Sequence, residues 1–339
     1  MAGTGAGRAL AAMTPAETTR SLLGLDAGSY RRHAVHGPDR TYTESNCYTD
    51  VIIELVHACG HEPLAALGCL VRTDFEGDQW TFFKPPPEDL EALYGIDVHE
   101  MQPYRPLPVQ IAEQIDAGRT IIVELDAWFL PDTAATSYRS EHVKTSVVAE
   151  SIDLDRRWLQ YFHGPGLFEL KGDDYDGVFR LDGDPDPWIL PPYTELVRFD
   201  AGPHLEGDAL RAGARESLLR HLRHRPVDNP FTRFGAQLER DLPLLLDGGP
   251  AEYHAYAFAT VRMVGAAFEL AASAVEWLYG PPAAGAATAM GSIVDGCKVL
   301  GFRLARRREF DPVPVLESLG AAWDDALAAL ELLSAVPPR

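Results

Sequence analysis

The sequence predicts an α+β N-terminal half followed by an all-α C-terminal half, and three observations carry that reading. Up to about residue 200, short β-branched or aromatic runs alternate with short amphipathic ones, punctuated by Gly and Pro. Beyond residue 204 the chain turns rich in Ala, Leu, Glu and Arg at helical spacing. The 339 residues are 46% apolar, enough for about two domains with a sizeable core. The expected division is a flexible leader over 1–27, an α+β domain over 28–200 and an α-helical bundle over 201–339.

Each element has a local reason. Ser45 and Asn46 are good N-cap residues, and Tyr48, Val51, Ile52, Leu55 and Val56 then recur at helical spacing until Gly60. Ala65 to Arg72 reads as a strand, and Trp80 to Phe83 as another. Glu88 to Tyr94 is a short helix stopped by Gly95, Ile96 to Met101 a strand, and Leu107 to Ala117 a helix ended by Gly118. Thr120 to Leu125 is strongly β-branched, Val143 to Glu150 alternates, and Arg157 to Phe162 follows as a third strand. Leu170 to Tyr175 reads as a turn into a short helix. The Pro- and Asp-rich stretch from Leu181 to Pro192 reads as a linker, with two prolines against a calcium loop. Helices are expected around 205–224, 230–246, 251–279, 285–308 and 313–334.

Composition narrows the function classes. The net charge of −20 argues against general nucleic-acid binding and against an anionic membrane surface. Two local basic patches stand out, Arg220 to Arg225 and Arg303 with Arg306, Arg307 and Arg308. No run approaches the roughly 20 apolar residues needed to span a bilayer. Met1 to Thr14 lacks a secretory core, and Gly3 to Gly7 lacks the features of a phosphate loop. The four cysteines, Cys47, Cys59, Cys69 and Cys297, do not suggest a disulfide framework, so a reducing cytoplasm is the expected location. His57, Cys59 and His61 cluster, but Gly60 breaks the helix between them, and no metal site is assigned.

Cys47 is the residue placed for chemistry. In the first turn of a buried helix, unpaired N–H groups and the positive end of the dipole favour a thiolate. A thiol nucleophile needs a base and a group to orient it. His142 opens one strand, and His163 ends the next, near His142 if the two pair antiparallel. Asp126, Asp153 and Asp155 are alternative orienters. Asn46, or backbone N–H groups near Cys47, are the candidates for an oxyanion hole. Tyr138 and Arg139, in the loop ahead of His142, are further substrate-binding candidates.

The order of cysteine on a helix, histidine at a strand start and a polar residue on the neighbouring strand resembles the papain-like cysteine-peptidase fold. His163-Gly164-Pro165 stands where that fold usually has Asn or Asp. The segments Glu44–Tyr48, Asp74–Lys84, Tyr94–Asp97, Leu130–Thr133 and Tyr161–His163 resemble the bacterial family called domain of unknown function 1839, from about residue 28 to the C-terminus. That family is distantly similar to the N-terminal domain of the butirosin-biosynthesis acyltransferase. The resemblance implies a thiol acyltransferase of secondary metabolism with no bound cofactor. It would take an acyl or aminoacyl group from the phosphopantetheine thioester of an acyl or peptidyl carrier protein, through Cys47, to a small-molecule amine. Glu76, Asp78 and Gln79 are then candidates for recognising an amino or aminoacyl group. An amidase or peptidase on the same fold, and a non-catalytic binding protein that keeps it, are the alternatives.

Overall fold

The structure is a computed structural model that describes residues 18–181 and 190–334. The Gly-rich start and the Asp182–Pro187 run lie outside the described residues. The N-terminal half is built on one antiparallel seven-stranded sheet, and the C-terminal half is helical.

The chain enters through β1 (Arg20–Ser21), which pairs with the far end of β6 (Lys144–Asp153). The expected leader is therefore too long, since Leu22, Leu25 and Ala27 pack on the domain core. Next come α1 (Cys47–Ala58) and a 3₁₀ helix, Pro63–Arg72. This second segment corrects an expected strand. Glu62 caps it, Pro63 starts it, and Gly68 lies so close to Leu218 that a Cβ would meet Leu218 Cα at 3.2 Å. A short apolar run fits a strand or a buried helix equally by periodicity, and packing decides.

The expected strand at Trp80–Phe83 shrinks to a two-residue ribbon, β2 (Phe75–Glu76) with β3 (Gln79–Trp80). Then follow α2 (Pro87–Tyr94), β4 (Asp97–Met101), α3 (Leu107–Asp116), β5 (Thr120–Asp126), β6, β7 (Trp158–His163), β8 (Gly166–Lys171), α4 (Asp173–Val178) and β9 (Thr194–Arg198). Strands β8 and β9 were not legible in the sequence. The second returns across the sheet to sit between β4 and β5, giving the order β4-β9-β5-β6-β7-β8.

Strand alternation gives this sheet two distinct faces. Ile122, Val148, Phe162 and Val197 pack under α1 and α2. Ile121, Val123, Val147, Ala149 and Tyr161 pack under α3. This parity decides which polar residues can meet.

The helical half comprises α5 (Gly207–Leu222), α6 (Pro230–Asp247), α7 (Pro250–Ala257), a π-helical turn Phe258–Arg262, α8 (Met263–Tyr279), α9 (Ala284–Ala305) and α10 (Val313–Ser334). The continuous rod Pro250–Tyr279 is long and apolar enough to cross a membrane by length and composition alone. Its apolar window is 67% buried, and Phe268, Ala271 and Val275 join the core shared with α6, α9 and α10. That core extends into the N-terminal half through an aromatic cluster in which Trp80 contacts Phe75, Phe231 and Phe234.

A backbone seam joins the halves at the end of α2. Gly95 adopts φ +65° there, and a Cβ would lie 2.3 Å from the carbonyl oxygen of Gly202. Leu205 N–H donates to Leu93 O and Ala201 N–H to Gly95 O. Gly95→Ala combines a left-handed conformation with a backbone clash. It should cost at least about 2 kcal/mol in urea unfolding, more than a surface substitution's roughly 0.5 kcal/mol.

Candidate thiol site

Cys47 is the first residue of α1. The Asn46 Oδ1 cap accepts from Thr49 N–H at 2.9 Å, while Asn46 Nδ2 donates to Phe83 O at 3.0 Å. Oδ1 and one Nδ2 proton of this amide are thus committed to structure, and its second Nδ2 proton remains to donate. The Cys47 and Tyr48 N–H groups also have no acceptor within the helix. Cys47 is half-buried, and its thiol donates to Ser146 Oγ on β6 at 3.6 Å. Burial pushes the other thiols up, Cys59 to about 11 and Cys69 to about 12, with Cys297 also raised. Those three are inert by comparison with an ordinary thiol.

Ser146 shares its face of β6 with Val148, so the thiol lies over the α1 face of the sheet. On β5 the same face carries Glu124, which is opposite Ser146, and Asp126, which is opposite Lys144. His142 Nδ1–H donates to Asp126 Oδ2 at 2.6 Å, and its ring stacks on Trp128 with centroids 4.5 Å apart. A carboxylate only accepts, so this bond places the proton on Nδ1 and leaves Nε2 free to accept one. His142 and Asp126 therefore form an oriented pair, with the side chain of His142 67% exposed.

Cys47 and His142 share the face but do not touch. The Lys144 Nζ–Glu124 Oε1 ion pair, at 2.7 Å, lies between them. From Ser146 to His142 is four residues, roughly 13 Å of extended chain. Among the described residues, no hydrogen bond joins the thiol to an imidazole.

His163 is where parity overrules the sequence reading. Val148 pairs with Phe162, so His163 falls on the opposite face, the one under α3. Its Nδ1–H donates to Asp132 Oδ2 at 2.5 Å, and Nε2 accepts from Thr145 O–H at 2.8 Å. Both ring nitrogens are used, and neither meets His142. Tyr161 O–H also donates to Asp132. The pair pins the connection between β5 and β6, a structural part for His163.

The remaining candidates disperse. Tyr138 O–H and the Arg139 guanidinium both bond to Asp174, securing that connection to α4. Glu76, Asp78 and Gln79 are exposed at the tip of the β2–β3 ribbon, which docks on α6 where Arg233 holds Asp74 and the Phe75 carbonyl. Asp153 caps the turn after β6, accepting from Asp155 and Arg156 N–H. His57 bonds to Arg31 O, whereas His61 stacks on Tyr94. Of the basic patches, Arg220 and His221 turn inward onto Asp89 and Arg225 pairs with Glu331, while Arg306 lies over the exposed Phe302 ring.

Two features that anchor the Cys47 loop were not anticipated. The first is a buried network under α1. His36 Nδ1 is 2.5 Å from Glu54 Oε1, and its Nε2 is 3.3 Å from Asp50 Oδ1. Asp50 also accepts from Ser45 N–H and Ser45 O–H, and Glu54 from Tyr30 O–H and His33 N–H. Two carboxylates four apart inside an apolar helix were the available signal. The second is a strap. Arg262, at the end of the π-helical turn, donates to Ser45 O at 2.9 Å and to Glu44 O at 2.8 Å. Glu269 accepts from Thr41 and Tyr42 N–H, and Arg40 reaches Ser273. At Gly265 the Tyr42 ring comes so close that a Cβ would lie 2.6 Å from it.

These features define an α+β protein with a candidate thiol site on its sheet and a helical half that holds the loop before the cysteine. A family model for the DUF1839 N-terminal domain matches residues 31–199, and one for the DUF1839 C-terminal domain matches residues 207–332. The chain belongs to the DUF1839 family. A search of curated proteins finds no match.

The network makes a pH prediction. Burial opposes charging of His36, but the hydrogen bonds and charges of Asp50 and Glu54 prevail and raise it from 6.5 to about 9. A raised folded value gives stability that is complete below about pH 6.5 and lost as pH rises through 9. The loss should be on the order of 3 kcal/mol. Urea midpoints should fall between pH 6.5 and 9 in the native chain, and His36→Gln should flatten that slope.

Proposed function

We propose that this chain is a thiol acyltransferase built on a papain-like N-terminal domain, with Cys47 as nucleophile and the His142–Asp126 pair as its base. The observation that carries the reading is the placement of a half-buried thiol at an N-capped helix start, on the sheet face that also presents an oriented imidazole with Nε2 free. Cys47 Sγ attacks the carbonyl of a carrier-bound thioester. His142 takes the thiol proton and passes it to the departing phosphopantetheine sulfur. One thioester is exchanged for another, so no external energy source is needed. The acceptor amine then attacks the Cys47 thioester and loses its proton to His142, and the regenerated thiolate is protonated in turn. The oxyanion faces the Cys47 and Tyr48 N–H groups.

The separation of thiol and imidazole sets a condition on this mechanism. His142 must move past the Lys144–Glu124 pair when substrate binds, and its exposed side chain leaves room for that movement. The exposed Arg306 over the Phe302 ring, at the end of α9, suits an acidic carrier helix. Water in place of the amine would make the same chemistry an amidase reaction. The lack of contact between Cys47 and His142 favours a second reading, a binding protein that keeps the fold without chemistry.

Intact-protein mass spectrometry with acyl and aminoacyl phosphopantetheine thioesters separates these readings. Native protein should gain a hydroxylamine-labile adduct that Cys47→Ala lacks. His142→Ala should slow its formation by roughly 10²–10⁴-fold. His163→Ala should change folding stability while leaving the acylation rate of folded protein within a few fold. No adduct with any donor would leave the binding-protein reading standing.

A further inference from the structure

A second site opens beside the start of α1. An open cavity of about 250 Å³ is lined by Arg72, Thr73, Thr81, Phe82, Lys84 and their neighbours. Its wall is joined to the thiol helix, because the Phe83 carbonyl accepts from both Asn46 Nδ2 and Thr49 O–H at 3.0 Å.

The chemistry of the lining is cationic in a chain of net charge −20. Arg72 is exposed and makes no ion pair among the described residues. Lys84 rests on the Tyr48 ring, 4.5 Å from its centroid, and stands 3.6 Å from Glu195 Oε1. Glu195, which also accepts from the hydroxyls of Tyr48 and Tyr193 at 2.5 and 2.9 Å, is thus the ion-pair partner of Lys84, and an ammonium with three N–H groups has further donors to offer a ligand. Thr81 Oγ1 accepts from Asp74 N–H, which leaves its own proton to donate. Asp74, the nearest acid in sequence, is paired with Arg233. Phe82 is 58% exposed at the rim.

An arginine, a lysine and a threonine lining one small cavity offer donors that suit the oxygens of a phosphate better than a single carboxylate. The volume lies below the roughly 300–1,000 Å³ of sites that enclose a whole drug-sized ligand. It suits one charged end of a longer molecule, with the remainder running toward the neighbouring Cys47. We propose that this cavity binds the phosphate group of the acyl donor's arm, with Arg72 and Lys84 as the binding cations, Thr81 as a third donor and Phe82 as an apolar rim. The assignment rests on the transfer reading above, for it supplies the end of the donor that Cys47 does not hold.

Binding can be measured without the chemistry. Cys47→Ala and native protein would be titrated calorimetrically with 4′-phosphopantetheine, pantetheine and inorganic phosphate. The phosphorylated arm should bind at least tenfold more tightly than pantetheine, and inorganic phosphate should compete with it. Arg72→Ala and Lys84→Gln should each weaken the phosphorylated arm roughly tenfold or more and leave pantetheine binding unchanged, with the melting temperature also unchanged in Arg72→Ala. Equal affinity for the two arms, no binding of either, or a preference that survives both substitutions would overturn the proposal. A phosphate preference with no adduct on native Cys47 would overturn only the transfer reading, since this site does not depend on the thiol.

Discussion

The buried imidazole of His36, held between Asp50 and Glu54, is the interaction on which the thiol site depends. Both carboxylates belong to α1, four residues apart on one side of the helix that Cys47 begins. Removing charges from water costs several kcal/mol for each ion, and attraction repays that only where every remaining donor and acceptor is also met. Here the extra partners are Ser45, Tyr30 and His33, all from the segment leading into α1. The network fastens the approach to the helix as well as the helix itself. Asp50 lies in the first turn, where the helix dipole favours an anion.

The helical half secures the same approach from outside. Arg262, Glu269 and Ser273 recur at seven- and four-residue steps, so one stripe of the Pro250–Tyr279 rod meets residues 40–45. The π-helical turn immediately before α8 ends at Arg262 and sets where that guanidinium emerges. A bundle that merely covered a cleft would not need these backbone contacts. The loop carrying Ser45 and Asn46 is clamped between two charged devices, one in each half of the molecule. The Cys47 Sγ position is therefore a property of the whole chain.

What the sequence revealed depended on whether the cause was local. Asn46 before an apolar periodic run is a local signal, so the helix start at Cys47 was readable without any partner. The α+β character and the five helical stretches of the second half were readable for the same reason. Ala65–Arg72 was not, because packing of Gly68 against Leu218 chose the 3₁₀ form. Strand β9 followed a proline-rich stretch and gained its identity only from the gap between β4 and β5. His163 was misassigned although a two-residue parity count was available. With Phe162 facing α1, the residue beside it must face α3. Asp126, held in reserve as an orienter, proved to be the partner of His142 because it ends β5 on the matching face. Arg262 lies more than 200 residues from the loop it binds, and no local pattern could have exposed that contact.

His163, Asp132 and Thr145 reproduce the connectivity of a nucleophile, base and orienting acid, and their geometry alone resembles a hydrolytic relay. Location argues for another role. Thr145 is buried at 7% exposure, so substrate has little access to its hydroxyl, whereas Cys47 is only half-buried. Asp132 also takes the Tyr161 hydroxyl, from a side chain with no exposed surface. Polar groups so fully matched inside a core rigidify what they join. What they join here is the 127–143 connection, whose two ends carry Trp128 and His142. That connection is fixed near Asp132 and Asp174, and at its end the exposed imidazole is held by Asp126 and Trp128 alone among the described residues.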